Sequence, residues 1–326
     1  MQRFPIALVL CTTLLAGTAG AQTRTKAEPP AKAWKAPRTA HGHPDLQGVW
    51  TNATLSPFER SANLDGKEFF TPAEAIEFEK YASQLDNRDK RSANADTDVG
   101  GGYNEAWFDR GHVVKTLRTS LVIDPEDGHI PPLTPAGKAR AAEFAENRRL
   151  HALDGPEGRS LQERCILWPV AGPPMEPRGY NSMYQIVQSP NQVALLVEMI
   201  HDVRIIPTDN SPHLPPGVKQ WMGDSRGHWE GDTLVVDTTN FTDQTRYRGT
   251  GEKLHLTERF TLTDPETMVY EFTIDDPGNY TRPWTVQLQF LRSNGPILEY
   301  ACHEGNYAMT GILTGARRAE GKSAEK

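Results

Sequence analysis

Long apolar runs, dense basic clusters and cysteine are all scarce in this 326-residue sequence, and each scarcity excludes a class of protein. Beyond Leu15 no apolar run is long enough to cross a bilayer as a helix, so no stable membrane insertion is expected. The net charge is −7, and no basic cluster is dense enough to favour nucleic acid or an anionic membrane as a partner. No Cys-x-x-Cys, His-Glu-x-x-His or glycine-rich nucleotide loop occurs, so the sequence predicts no cofactor.

The N-terminus has the pattern of a signal peptide. Met1–Arg3 is a short basic start, Phe4–Leu15 is apolar but too short for a membrane span, and Ala19–Ala21 fits a signal-peptidase site. We therefore expect cleavage near Ala21 and a periplasmic or secreted product. Rich in Lys, Ala and Pro, residues 22–42 are predicted to be a flexible tether. A single β-rich domain over 43–316 and a disordered tail over 317–326 complete the predicted organisation.

Two cysteines, Cys165 and Cys302, remain after processing. In an oxidising compartment they have only one intramolecular pairing, which favours a disulfide. Two alternatives stay open: a free structural thiol, and a nucleophilic thiolate at Cys302, which is followed by His303.

The last third of the chain predicts the fold class. Short runs rich in β-branched and aromatic residues alternate there with turn formers such as Asp264-Pro265 and Asn294-Gly295-Pro296. This spacing is typical of an antiparallel meander, so we predict a mainly β protein with its main sheet over 181–307. The sheet is expected to be barrel-like or strongly curved, and Gly48-Val49-Trp50 at the first strand suggests a lipocalin-like barrel.

Two helices are predicted to flank the sheet, within residues 71–150. Thr71, Pro72 and Glu74 form a capping-box pattern at the start of the first helix, and Thr134-Pro135 begins a second that runs to about Leu150.

Alternation along the predicted strands separates an apolar face from a polar one. Leu254, Leu256, Phe260 and Leu262, for example, share one face of their strand. Two interpretations of the apolar face remain open: it lines a barrel cavity for an apolar ligand, or it is the core beneath the helices. The polar face is either washed by solvent or lines a hydrophilic groove.

Three polar clusters contain the candidate catalytic residues: Glu198–Arg204, Arg226–Asp232 and Tyr300–Tyr307. An imidazole near a carboxylate can act as a general acid or base near neutral pH, and a guanidinium can stabilise developing negative charge. On this basis His201 or His303 is the expected base, and Arg204 or Arg226 is the group expected to stabilise the developing negative charge. Each cluster also has a structural interpretation, as a turn, a disulfide-bearing strand end or a buried ion pair. The candidates are His201, Asp202, Arg204, Arg226, His228, His303 and Glu304.

A metal site is a weaker hypothesis. His201, His228, His255 and His303 would have to converge across a curved sheet to supply zinc-like ligands, because none of them has the tight spacing of a known zinc motif.

Five segments resemble a widespread family of exported bacterial proteins: Pro44–Trp50, Tyr184–Gln188, Glu198–Asp202, Gly223–Val236 and Tyr300–Tyr307. The resemblance covers most of the mature chain and implies export, but it assigns no reaction to any residue.

The sequence thus predicts an exported β protein that binds a small organic molecule. Two functions stay open: a cofactor-independent acid–base enzyme, that is a hydrolase, lyase or isomerase, and a non-catalytic periplasmic carrier or interaction domain.

Overall fold

The computed structural model describes residues 34–324 apart from 86, 91 and 101–103. The segments with alternating apolar and polar residues form a ten-stranded antiparallel sheet. The strands are β1 Gly48–Thr51, β2 Val122–Asp124, β3 Met183–Gln188, β4 Gln192–Val197, β5 Val203–Pro207, β6 Asp224–Glu230, β7 Thr233–Thr239, β8 His255–Asp264, β9 Thr267–Asp275 and β10 Trp284–Arg292.

The sheet curls into a nearly closed barrel. Its order is β5-β4-β3-β1-β10-β9-β8-β7-β6, and β2 pairs with β10 outside this path. The two end strands approach each other, because Arg204 Nε on β5 donates to Ser225 Oγ on β6 at 2.9 Å. The predicted mainly β, barrel-like fold is therefore confirmed.

The apolar face fills the inside of the barrel. Tyr270, Phe272, Trp284 and Phe290 are all fully buried. Their rings pack against one another, with centroids 5.3 Å apart for Tyr270 and Phe290 and 6.3 Å apart for Phe272 and Trp284. Of the two interpretations of this face, the structure thus supports the packed core.

Helices lie outside the barrel: α1 Pro72–Leu85, α2 Ala95–Gly100, α3 Pro135–His151 and α4 Tyr307–Ala324. The two predicted helices correspond to α1 and α3. The capping box of α1 is present, because the Glu74 carboxylate accepts from Thr71 N at 2.8 Å and Thr71 Oγ1 accepts from Glu74 N at 3.3 Å. Thr134 Oγ1 likewise accepts from Gly137 N at 2.9 Å at the start of α3.

The C-terminal prediction was wrong in two respects. The sheet ends at Arg292 rather than continuing to 307, so residues 298–306 are not a strand. Residues 317–324 continue α4 rather than forming a disordered tail. Met309, Ile312, Leu313 and Ala316 have i, i+3, i+4, i+7 spacing, which gives α4 one apolar face despite the polar residues after Arg317.

The N-terminal prediction needs a partial correction. The signal peptide and residues 22–33 lie outside the described residues. Residues 37–45, partly assigned to a flexible tether, form a closed turn instead: Thr39 N donates to His43 O at 2.9 Å and Asp45 N to Pro37 O at 2.8 Å. An ion pair between Arg38 and Asp232 fastens this turn to the β6–β7 connection. Among the described helices, none has the length and apolarity needed to cross a bilayer.

Candidate functional site

The predicted disulfide is present. Cys165 and Cys302 are joined, with their Cα atoms 5.8 Å apart, and the bond connects positions separated by 137 residues. A nucleophilic thiolate at Cys302 is therefore excluded in this structure. The Asn306 amide reinforces the link, since its Nδ2 donates to Glu163 O at 2.8 Å.

A cavity of about 540 Å³ lies beside this disulfide, and we call it the disulfide cavity. Its wall combines three aromatic side chains, apolar residues of α4, and a few carboxylate and amide groups. A cavity of this size with mostly apolar walls and a few fixed polar groups is typical of small-molecule sites. The lining residues are Trp107, Gln162, Glu163, Cys165, Tyr180, Asn181, Leu298, Glu299, Tyr300, Ala301, Cys302, Gly305, Asn306, Ala308, Met309 and Ile312.

Four of the non-glycine residues with left-handed backbone lie in the disulfide cavity or in the connection that contacts it, and others lie elsewhere in the fold. Cys165 and Asn181, which line it, have positive φ values of 55° and 45°. Ile200 and His201, in the connection between β4 and β5, have φ values of 61° and 50°. A left-handed conformation is costly for a β-branched residue such as Ile200, and such strain is commonly found at ligand sites.

The connection between β4 and β5 supports one wall of the cavity. The buried Glu198 carboxylate accepts from Leu298 N at 3.0 Å and from Met183 N at 3.2 Å. His201 Nδ1 lies 2.9 Å from the Tyr300 carbonyl oxygen. One carboxylate oxygen of Glu198 and the His201 imidazole therefore hold residues 298–300, while the other carboxylate oxygen holds the start of β3.

Asp202, another candidate catalytic residue, belongs to the same connection. Burial raises the pKa of Asp202 to about 6, and the neighbouring His201 only partly offsets this shift. Neither residue lines the disulfide cavity. The structure thus places both of them behind the wall and not at the surface that a ligand would contact.

Arg204 lies inside the barrel. Its Nη1 donates to Glu258 Oε1 at 3.0 Å, its Nη2 contacts the other carboxylate oxygen, and the Tyr270 hydroxyl donates to Glu258 Oε1 at 2.8 Å. Glu258 is fully buried and Arg204 is only 5% exposed, so this is a structural ion pair. Sequence reasoning missed Glu258, although its parity on β8 places it with the inward-facing leucines.

Arg226 and His228 lie on β6, away from the disulfide cavity. Arg226 Nη1 donates to Asp224 Oδ1 at 2.6 Å, and His228 Nε2 lies 3.1 Å from Glu230 Oε1. Glu230 also accepts from Arg259 at 2.7 Å, so it belongs to an exposed cluster of charges on the outer face of the sheet.

Residues Gly223–Gly227 also match the Gly-x-Ser-x-Gly spacing of the hydrolase nucleophile elbow. The structure does not support that chemistry. Ser225 lies within an antiparallel strand instead of a strand-to-helix turn, is 5% exposed, and has its Oγ bonded to Arg204 and Thr238. No histidine is among its partners in the described part of the chain.

A chain of alternating carboxylates and imidazoles crosses the outer face of β6, β7 and β8. His213 Nδ1 is 2.9 Å from Asp224 Oδ2, its Nε2 is 2.9 Å from Asp237 Oδ1, and His255 contacts the other oxygen of Asp237. Burial opposes ionisation of Asp237, but the two histidines outweigh it and lower the pKa of this carboxyl. The hydrogen bond to Asp237 raises the pKa of His255. Sequence reasoning missed this network, because His213 lies in a loop with no periodicity.

His303 and Glu304 lie exposed on the turn that carries Cys302, at the rim of the disulfide cavity but outside its lining. The histidines of the metal hypothesis do not converge: His201 contacts Tyr300, whereas His228 and His255 occupy the outer face of the barrel with separate partners. Over the described ranges, no group of three or more His, Cys, Asp or Glu side chains is arranged to hold a metal ion.

Comparison of the chain with protein-family models, with curated proteins and with solved structures finds no match. The site must therefore be interpreted from its geometry. Some polar groups pair with other protein groups within or on the barrel, and others line the disulfide cavity.

Proposed function

We propose that the protein is an exported carrier that binds a small organic molecule with a flat apolar part in the disulfide cavity. One observation carries this proposal: a volume of about 540 Å³ is bordered by the aromatic side chains of Trp107, Tyr180 and Tyr300 and by α4. A cavity of this size is sufficient for a ligand of one or two rings. Flat rings pack favourably against aromatic side chains, which supply large apolar contact areas.

The carrier function is favoured over the acid–base enzyme by the positions of the candidate catalytic residues. Arg204 is enclosed in the barrel, and Arg226 and His228 lie on its outer face. The imidazole of His201 contacts the main chain behind the cavity wall. None of these four groups lines the disulfide cavity, and an acid or base must come within hydrogen-bonding distance of the proton it transfers. His303 and Glu304, at the rim of the cavity, are outside its lining as well.

α4 closes one side of the disulfide cavity with Met309 and Ile312. The helix is attached to the rest of the fold by polar contacts near both ends. Asn306 bonds Glu163 O, and Arg317 Nη2 donates to Asp154 O at 2.7 Å. A ligand would then lie against this helix outside the barrel, so binding requires no opening in the barrel itself.

The disulfide and the signal-peptide pattern support export. Under this proposal the protein belongs to the exported bacterial family that its motifs resemble. The likeness to lipocalins is then one of strand arrangement only, because aromatic side chains fill the barrel and the ligand lies beside its end.

Blocking the cavity tests the proposal. Ile312→Trp places an indole in the disulfide cavity, whereas Ile76→Trp places one on α1, where Ile76 is 69% exposed. The probe is Prodan, a neutral naphthalene dye whose emission shifts in an apolar site. We expect saturable one-to-one binding to the mature protein, weakened at least tenfold by Ile312→Trp and unchanged by Ile76→Trp. Absence of saturable binding, or equal binding by both variants, would refute the proposal.

A further inference from the structure

A second cavity, of about 380 Å³, adjoins the first, and Tyr180 lines both. We call it the arginine pocket, because Arg88, Arg110 and Arg178 all line it. Its other walls include the aromatic side chains of Phe108 and Trp168. Among the described residues that line it none is acidic, so the lining itself is positive, and Glu105, which pairs with Arg110 from outside the lining, offsets part of that charge.

Arg178 is the most informative of these residues. It is only 8% exposed, and its guanidinium donates to three main-chain carbonyls: Val170 O at 3.0 Å, Glu176 O at 3.3 Å and Asn181 O at 3.2 Å. Its Nε is buried without a hydrogen-bond partner. No carboxylate in the described part of the chain forms an ion pair with it. A buried cation whose partners are main-chain carbonyls and aromatic rings, with no carboxylate among them, is costly, and an anion in the pocket would relieve that cost.

Aromatic rings lie beside two of the guanidinium groups. Arg178 Cζ lies 5.9 Å from the centre of the Trp168 ring, and Arg110 Cζ lies 4.9 Å from that of Phe108. Glu105, outside the pocket, fixes Arg110 through a 2.7 Å ion pair. Planar guanidiniums with restricted orientation favour a planar, doubly hydrogen-bonding anion such as a carboxylate.

The charges of the two cavities orient a ligand that spans them. Glu299 lines the disulfide cavity and would repel an acid group there, as would Glu163, whose charge an ion pair with Arg159 partly offsets. The arginine pocket offers the opposite charge on the other side of Tyr180. Building on the proposed function, we infer that the ligand is an aromatic carboxylate, whose acid group lies among the arginines while its ring lies against Tyr180 and in the disulfide cavity.

Displacement of Prodan by two matched competitors, 2-naphthoate and 2-naphthamide, tests this inference. The two have nearly the same shape and differ in charge. We expect the acid to displace the dye at concentrations at least tenfold lower than the amide does, and the difference to shrink in high salt because a charge interaction causes it.

Arg110→Gln should reduce the preference for the acid to less than threefold. Arg118→Gln is the matched control, because Arg118 also packs 4.9 Å from a ring centre, that of Phe69, and pairs with Glu68 at 2.9 Å, but lines neither cavity. Arg110 is chosen over Arg178, whose main-chain bonds the fold needs.

Three results overturn the inference: equal displacement by acid and amide, a preference that Arg110→Gln leaves intact, or an equal loss with Arg118→Gln. In each case saturable Prodan binding sensitive to Ile312→Trp would leave the proposed function standing. If Prodan and both competitors fail to bind, the proposed function itself fails.

Discussion

Removing the carboxylate of Glu258 should destabilise the barrel strongly. In the variant Glu258→Leu, Arg204 would remain 5% exposed and charged, with only the hydroxyls of Ser225 and Thr238 as side-chain partners. The Tyr270 hydroxyl would also lose its acceptor. A buried charge left without its counter-ion costs about 3–5 kcal/mol in other proteins.

The geometry supports a value of this size. Arg204 Nη1 and Glu258 Oε1 are 3.0 Å apart, and at an effective dielectric constant of about 20 the attraction of two unit charges at that distance is about 5 kcal/mol. Loss of the bond from the Tyr270 hydroxyl adds about 1 kcal/mol. Partial solvation of the remaining guanidinium in the variant offsets some of both contributions, so we expect a loss of about 3–5 kcal/mol.

The double variant Arg204→Met with Glu258→Leu separates charge from packing. It replaces both charges by apolar side chains of similar volume, so its stability should lie within about 2 kcal/mol of the parent protein. Glu230→Leu is the control, because Glu230 pairs with Arg259 at 2.7 Å but both are well exposed, and such pairs contribute about 0–1 kcal/mol.

Urea-induced unfolding of the mature, disulfide-bonded protein measures these differences, provided that all variants share one slope with urea concentration. A loss below about 1 kcal/mol for Glu258→Leu would contradict the reasoning about burial. A double variant as unstable as the sum of the single ones would show that packing, and not the unpaired charge, dominates.

Further predictions concern the disulfide, pH and helix capping. Cys165→Ser with Cys302→Ser should lower the free energy of unfolding by up to about 5 kcal/mol, because the bond joins positions 137 residues apart, and should weaken Prodan binding. A loss of stability with full binding would show that the disulfide does not shape the cavity. The pKa of Asp202 is raised to about 6 in the folded state. Between pH of about 4 and 6 the folded state therefore binds this proton more strongly than the unfolded state does, and the free energy of unfolding should fall as pH rises through this range. Asp202→Asn should remove that component of the pH profile, and a profile identical to the parent's would contradict it. Thr134→Ala removes the cap of α3 and should cost about 1 kcal/mol in urea unfolding, with Thr310→Ala in the exposed part of α4 as a control near zero.

Local patterns were sufficient to predict the barrel-like sheet and the helices α1 and α3, but not α4. Alternation along residues 254–262 identified the inward face of β8, and the threonine caps located the starts of α1 and α3. The same alternation includes Glu258 on the apolar face, but its partner Arg204 is 54 positions away in sequence. A buried ion pair of this kind depends on which strands close the barrel, and periodicity within one strand carries no such information.

The site was only partly predictable for a related reason. The disulfide followed from the presence of two cysteines, and part of the motif at residues 300–307 contributes to the cavity lining. The rest of the disulfide cavity comes from segments near residues 107, 163, 180 and 310, in which sequence reasoning identified no site. Arg178, in the adjoining arginine pocket, is exceptional only because no carboxylate of the described residues pairs with it, and unpaired burial is a property of three-dimensional packing.

Several of the polar clusters that the sequence singled out lie in or on the barrel, apart from the residues that line the two cavities. Polar groups such as Arg204 on the inside and Asp237 on the outside already have partners within the protein, so they stabilise a rigid sheet. Arg178, Tyr180 and Tyr300, which line the two cavities, lie on connecting segments outside the strands. Such segments can change without disturbing the core, and they commonly carry function on a rigid scaffold. A histidine in a conspicuous strand motif is thus weaker support for a site than an unpaired buried charge on a loop.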